Sequence, residues 1–126
     1  MHKSRLGALI VDCRTQDLWQ DAEFWSSALG VKKEDPDNQV DQKYVRLESQ
    51  SGELQVILQK VDHPSRVHID IEADDIEAEV GRLLELGATV VERLEKWVVM
   101  EAPSGHRFCV IGPVRSGFED HANVWA

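Results

Sequence analysis

The same succession of strand and helix patterns occurs twice in this chain, and this repetition restricts the possible folds more than any other feature. In each copy an apolar run of strand length leads into a helical pattern, and a glycine then ends the helix. The two glycines, Gly30 and Gly87, lie 57 residues apart. Short strand patterns follow each helix. The sequence therefore predicts an α+β fold built from two β-α-β-β-β repeats.

The strand that opens the second copy, residues 66–72, carries the most informative side chains. Strand alternation sorts them onto two faces, with Val67, Ile69 and Ile71 on one and His68, Asp70 and Glu72 on the other. We expect the apolar face to cover a core and the polar face to carry the chemistry. The second helix follows, with Asp74 as its predicted N-cap and Glu77 at the capping-box position.

The first helix begins near Leu18 and ends at Gly30. It carries three aromatic side chains, Trp19, Phe24 and Trp25, at helical spacing. We expect all three to lie in the core or to pack between the helix and the sheet.

Three segments lie outside the helices and the well-patterned strands. Residues 35–42 are polar and rich in turn formers, which predicts a loop, and residues 49–52 predict a turn at Gly52. The tail, residues 113–126, carries Phe118 and Trp125. These rings would be exposed on an unsupported tail, so we expect the tail to pack on the rest of the chain.

Length and charge exclude several classes of function. A chain of 126 residues is expected to form one domain. The net charge of −9 argues against nucleic acid or an anionic membrane as a partner. No apolar run reaches the ~20 residues of a membrane span, and Asp12 interrupts the apolar run near the start, so we expect a cytoplasmic protein. Cys13 and Cys109 are expected to be free thiols.

Three segments carry a resemblance to a known superfamily. They are AEFW at 22–25, VHIDI at 67–71 and APSGHRFC at 102–109. With the doubled order of elements, they resemble the vicinal oxygen chelate superfamily of glyoxalases and bleomycin-resistance proteins, and within it the glyoxalase-like branch. The resemblance implies a curved mixed sheet around a cleft, and a homodimer. It implies a single glyoxalase-like domain, 1–126, with repeat one at about 5–61, repeat two at about 66–112 and a C-terminal tail at 113–126.

Metal-dependent members of this superfamily take one ligand from the first strand and one from the last strand of each module. The resemblance places these four positions at Ile10, Val56, His68 and Cys109. Two of the four are aliphatic, whereas a catalytic metal site commonly has at least three protein ligands. We therefore predict no metal and no other cofactor, although water, Asp70 or Gln59 could add a ligand.

The predicted function is the binding of a small organic molecule in an apolar cleft. The expected lining residues are Tyr44, His68, Asp70, Trp97 and Cys109. Aromatic and apolar side chains would hold the ligand, and the polar side chains would orient it. A cysteine in such a place is more commonly a packed apolar side chain than a nucleophile.

Two alternatives remain open from the residues alone. The protein is a lyase, isomerase or hydrolase if His68 moves a proton while Asp70 or Asp12, which occupy equivalent places in the two repeats, orients it. Each of these side chains also has a purely structural interpretation as a hydrogen-bonded strand or turn residue. The third possibility is an interaction module that uses the aromatic tail.

Overall fold

The computed structural model describes residues 1–34, 43–49 and 54–126. Eight strands and three helices occur in this part of the chain: β1 (His2–Cys13), α1 (Leu18–Leu29), β2 (Tyr44–Arg46), β3 (Gln55–Lys60), β4 (Arg66–Ala73), α2 (Ile76–Glu85), β5 (Thr89–Arg93), β6 (Trp97–Glu101), β7 (Arg107–Ile111), α3 (Phe118–His121) and β8 (Asn123–Trp125). The predicted loop at 35–42 and the predicted turn at Gly52 lie outside the described residues.

The chain divides into two compact units. The first unit is Ala8–Val67, and the second unit consists of Met1–Gly7 together with His68–Ala126. The beginning of β1 therefore belongs to the same unit as the second helix, although it precedes the first helix in the sequence.

In the first unit, β3 pairs in parallel with β1 and antiparallel with β2. Among the described residues of this unit, an isolated antiparallel bridge also joins Lys33 and Leu47. Helix α1 starts after Asp17, whose carboxylate accepts a hydrogen bond from the Gln20 N–H, and ends at Gly30 with φ of 71°. The core of this unit contains Cys13, Leu18, Ala22, Val45, Leu47 and Leu58.

Phe24 is not a core residue, contrary to the expectation from the sequence. Its side chain is 64% exposed, and its ring meets Trp25 edge-on with 5.2 Å between the ring centroids. Successive helical residues are about 100° apart, so Phe24 points away from the sheet when Ala22 is buried against it. Trp19 and Trp25 pack beside the core as expected.

In the second unit, β4 pairs in parallel with β7, and β7, β6 and β5 follow as antiparallel neighbours. Helix α2 packs on β5, β6 and β7. The core between them contains Ala73, Val80, Leu83, Ala88, Val98, Met100 and Val110. The beginning of β1 lies next to β4 and also pairs with β8.

The N-cap of α2 is Asp75 and not Asp74, which corrects the sequence-based prediction. The Asp75 carboxylate accepts a hydrogen bond from the Ala78 N–H at 3.0 Å. Asp74 instead accepts a hydrogen bond from the backbone N–H of Lys3 at 2.8 Å. A contact with a distant strand thus occupies the carboxylate that local spacing assigned to the cap.

The tail packs on the second unit, as predicted. Phe118 is 6% exposed, and the guanidinium of Arg5 lies 5.5 Å from its ring centroid. Strand β8 pairs with the beginning of β1, and the indole Nε1 of Trp125 donates a hydrogen bond to Ser4 Oγ at 2.8 Å.

The α+β class and the β-α-β-β-β order predicted from the sequence are confirmed by these elements. Among the described helices, none has both the length and the apolar character required to cross a membrane.

Candidate functional site

On β4 the polar face is more buried than the apolar face, whereas the sequence predicts the reverse. The apolar residue Ile69 is 44% exposed, whereas Glu72 on the polar face is fully buried and His68 and Asp70 are half-buried. On the apolar face, Ala73 at the end of the strand belongs to the core, and Ile71 packs against that core. The apolar face is therefore buried at the end of β4 and exposed at Val67 and Ile69 near its start.

On the polar face, three side chains of the second unit come together: His68, Asp70 and Cys109. The parallel register of β4 and β7 pairs Asp70 with Cys109 directly, and alternation along β4 brings His68 to the same face. One potential ligand atom from each residue lies within 4.8 Å of the other two. We call these three residues the His68 cluster.

Asp70 has an unusual environment within this cluster. Its Oδ1 atom is buried and has no hydrogen-bond partner among the described residues. The Nε2 atom of His68 lies 3.3 Å away, close enough for an ion pair but not aligned as a hydrogen bond. A buried acceptor without a hydrogen bond lowers the stability of a protein by roughly 1–3 kcal/mol. A hydrogen-bond donor or a cation placed next to this oxygen would therefore be stabilising.

Apolar side chains flank the His68 cluster on the same face of the sheet. The register of β6 with β7 places Val99 opposite Cys109 and Trp97 opposite Ile111. The Trp97 ring is partly exposed. The cluster therefore has a polar centre with an aromatic and aliphatic border.

Glu72 shares this face but belongs to the internal support of the fold. Its Oε1 accepts hydrogen bonds from the backbone N–H groups of Val114 and Arg115, and its Oε2 accepts one from Arg5 Nε at 3.1 Å. A Cβ at Gly7 would lie 2.6 Å from Glu72 Cγ. The expectation that the whole polar line of β4 would serve chemistry is therefore wrong at Glu72.

Tyr44 and Asp12, the other predicted site residues, lie in the first unit. Tyr44 is half-exposed, and its hydroxyl accepts a hydrogen bond from Gln59 at 3.4 Å. Asp12 is buried, with its Oδ2 atom 3.9 Å from His63 Nε2 and 3.8 Å from Arg66 Nε. The sequence does not indicate these two basic neighbours of Asp12. His63 lies in an irregular linker without a periodic pattern, and Arg66 is far from Asp12 in the chain.

The two cysteines have different surroundings. Cys13 is buried in the core of the first unit, and burial, together with the nearby carboxylates of Asp21 and Asp12, raises the pKa of its thiol to about 11. Cys109 is half-buried in the His68 cluster. Cys109 is therefore the more accessible of the two thiols.

The His68 cluster also fits a transition-metal ion by its donor set. Imidazole nitrogen, carboxylate oxygen and thiolate sulfur are all Zn²⁺ ligands, and the open oxygen of Asp70 would receive a positive charge. The first-unit positions that the resemblance assigns to ligands, Ile10 and Val56, carry no donor atom. Such an ion would therefore have three protein ligands, all from the second unit.

A family model described as a glyoxalase-like domain matches residues 8–111. No curated protein matches the chain significantly. Solved structures with a similar fold include methylmalonyl-CoA epimerase from Mycobacterium tuberculosis, with 15% identity and a TM-score of 0.61, covering 86% of this chain and 87% of that chain. A glyoxalase/bleomycin resistance protein/dioxygenase superfamily member from Vibrio splendidus 12B01 has 19% identity and a TM-score of 0.55. The match covers 87% of this chain and 99% of that chain. An extradiol ring-cleaving dioxygenase from B. fuscum has 15% identity and a TM-score of 0.58, with 87% of this chain and 32% of that chain covered.

Proposed function

The chain belongs to the glyoxalase-like domain family, and we propose that it binds a small organic molecule at the His68 cluster. The observation that carries this proposal is the buried Oδ1 atom of Asp70, which lacks a hydrogen-bond donor among the described residues. A ligand N–H or O–H group would supply the donor. Trp97 and Val99 would contact the apolar part of the same ligand.

The charge of the protein and the site favours a ligand that is neutral or cationic. The chain carries a net charge of −9, and the atom to be satisfied is a carboxylate oxygen. An anionic ligand would be repelled by both. The proposed ligand is therefore an aromatic or apolar molecule with an amine, amidine or hydroxyl donor.

Three probes that share one ring test this proposal: benzylamine, benzyl alcohol and benzoate, measured by calorimetric titration. We expect affinity to fall in that order. Asp70→Asn should weaken benzylamine binding by about tenfold or more, since a charge-assisted hydrogen bond contributes roughly 1.5–3 kcal/mol. Asp62→Asn, which removes one carboxylate from an exposed position of the first unit, serves as the matched control. Equal affinity in the Asp70→Asn and wild-type proteins would contradict the proposal.

Acid–base catalysis at the same cluster is a second candidate function, favoured by the 3.3 Å approach of His68 Nε2 to Asp70 Oδ1. An imidazole beside a carboxylate can accept and return a proton near neutral pH. Fold neighbours of this chain include an epimerase and a dioxygenase, so the fold accommodates enzymes. Catalysis would make this protein a lyase, an isomerase or a hydrolase.

Exchange of carbon-bound protons with D₂O tests this candidate for any reaction that begins with removal of such a proton. Small carbonyl compounds and carboxylate thioesters would be incubated with the protein, and deuterium incorporation would be followed by proton NMR. We expect exchange that His68→Gln abolishes while the melting temperature is retained. Exchange that persists in His68→Gln would exclude His68 as the base.

A metal ion is the third possible occupant of the cluster, favoured by three donor atoms within 4.8 Å. Bound Zn²⁺ would polarise a coordinated oxygen of a ligand, and His68, Asp70 and Cys109 would hold it. Elemental analysis of the purified protein distinguishes this case. Cys109→Ser should remove most of a bound metal, whereas it should change benzylamine affinity little if the site works without metal.

A further inference from the structure

A separate pocket of about 240 Å³ lies on the other face of the same sheet in the second unit. Its lining includes Ser4, Leu6, Ile69, Ile71, Arg82 and Trp125. Ile69 and Ile71 alternate with His68 and Asp70 along β4, so this pocket and the His68 cluster open on opposite faces. We propose that this pocket binds a small uncharged aromatic molecule.

The apolar side chains of the pocket are the first argument for a ligand. Leu6 and Ile69 are each nearly half exposed, although both belong to strands. Together with Ile71 they form an aliphatic surface, and its burial by an apolar molecule would be favourable in proportion to the area removed from water.

An aromatic side wall is the second argument, because it is held in place before any ligand arrives. The Trp125 indole donates a hydrogen bond to Ser4 Oγ at 2.8 Å, and the guanidinium carbon of Arg82 lies 3.9 Å from the ring centroid. A wall that is already ordered lowers the entropic cost of binding. Aromatic rings pair well edge-to-face or offset, so Trp125 favours an aromatic ligand over an aliphatic one of equal size.

The charges around the pocket are compensated internally, which indicates an uncharged ligand. Arg82 donates two hydrogen bonds to Glu79, each at 2.8 Å, and His2 Nε2 lies 2.8 Å from the same carboxylate. Arg5, which also borders the pocket, is paired with Glu72. A charged ligand would lose hydration there without meeting an unpaired opposite charge.

The volume is suited to one or two fused rings. An apolar cavity of about 150 Å³ accommodates benzene, so about 240 Å³ is suited to a molecule of the size of indole. Indole is therefore a suitable probe, and its analogues tryptamine and indole-3-acetate add a positive and a negative charge to the same ring.

The test is a titration of the 126-residue protein with these three probes, followed by NMR of backbone amides, methyl groups and the indole N–H of Trp125. We expect indole to shift the resonances of Ile69, Ile71 and Trp125 in a saturable way. Both charged analogues should bind at least about tenfold more weakly. Asp70→Asn should leave the indole titration unchanged, because Asp70 lies on the opposite face.

A pocket-filling variant and a matched control complete the experiment. Ile69→Trp should abolish the saturable shifts of Ile71 and Trp125, whereas Val91→Trp, at a strand position of similar exposure, should retain them. Leu6→Trp provides a second filling variant if Ile69→Trp does not fold. The proposal is overturned if indole causes no saturable shifts in these residues, if the charged analogues bind equally well, or if filling the pocket has no effect. Shifts at Leu6 and Ile69 that depend only on protein concentration would also overturn it and assign this face to self-association.

Discussion

Asp70 and Glu72 lie two residues apart on the same face of β4, but their carboxylates have opposite roles. Both oxygens of Glu72 accept hydrogen bonds, from Arg5 and from the backbone of residues 114 and 115. Asp70 Oδ1 accepts none from the described residues. One carboxylate therefore joins the tail to the sheet, and the other has a buried oxygen that accepts no hydrogen bond from the described residues.

This contrast predicts opposite effects of two similar substitutions on stability. Glu72→Gln should lower the free energy of unfolding by about 3 kcal/mol, because it leaves the buried Arg5 guanidinium without its counter-charge. Asp70→Asn should change it by less than about 1 kcal/mol, since the Oδ1 atom accepts no hydrogen bond from the described residues and its neighbour at 3.3 Å, His68, is not permanently charged as Arg5 is. Urea denaturation of both variants measures the difference. Equal losses would show that Asp70 is as structural as Glu72.

Two glycine substitutions should change stability in opposite directions. Gly7→Ala should destabilise the protein by about 1–3 kcal/mol, because the new Cβ would lie 2.6 Å from Glu72 Cγ and 3.2 Å from the Asp70 carbonyl oxygen. Gly81 lies inside α2, and a Cβ there would have no atom within 4 Å apart from its chain neighbours and the backbone of its own helix, so Gly81→Ala should stabilise the protein by up to about 1 kcal/mol. Thermal unfolding checks both, and a Gly7→Ala protein as stable as wild type would contradict the close approach of β1 and β4.

The buried Glu79 should make stability depend on acid pH. Burial tends to raise its pKa, but hydrogen bonds from Arg82, His2 and Ser4 outweigh burial and lower the pKa to about 2 from 4.5. A carboxyl group with a lowered folded-state pKa stabilises the fold above pH 4.5, and this stabilisation is lost as the pH falls towards 2. The full effect is on the order of 3 kcal/mol.

Glu79→Gln should remove this part of the pH dependence, measured as the urea midpoint between pH 7 and pH 2. Glu77→Gln is the matched control, since Glu77 lies on the same helix and is exposed in its ion pair with Arg93. It should retain the pH dependence of the wild-type protein. A Glu79→Gln variant with an unchanged profile would show that other groups control acid unfolding.

The two thiols should react with iodoacetamide at very different rates. At pH 8 a thiol with a pKa of about 11 is ionised to roughly one part in a thousand, and Cys13 is also buried. Cys109 is half-buried and lies opposite Val99, outside the core of the second unit. Mass spectrometry of the folded protein should find the label on Cys109 first. Both cysteines should be labelled in urea, and preferential labelling of Cys13 without urea would contradict the described burial.

Local patterns in the sequence are sufficient to predict the order of elements and which residues of the candidate site share a face. Gly30 and Gly87 marked the ends of the helices correctly, because a glycine adopts positive φ at low cost. Alternation placed His68 with Asp70, and Trp97 with Val99, on shared faces. The N-cap of α2 was assigned one residue too early, because spacing alone does not reveal that Lys3 binds Asp74.

The sequence by itself determined the doubled β-α-β-β-β order and the family, since both depend on periodicity, turn residues and short segments that act locally. Only the tertiary structure decided which polar residues remain available. It pairs Asp70 with Cys109, bonds the buried Glu72 carboxylate to the backbone of residues 114 and 115, and leaves the Ile69 side chain exposed. These outcomes depend on strand register and on contacts between residues far apart in the chain, and local patterns carry no information about either.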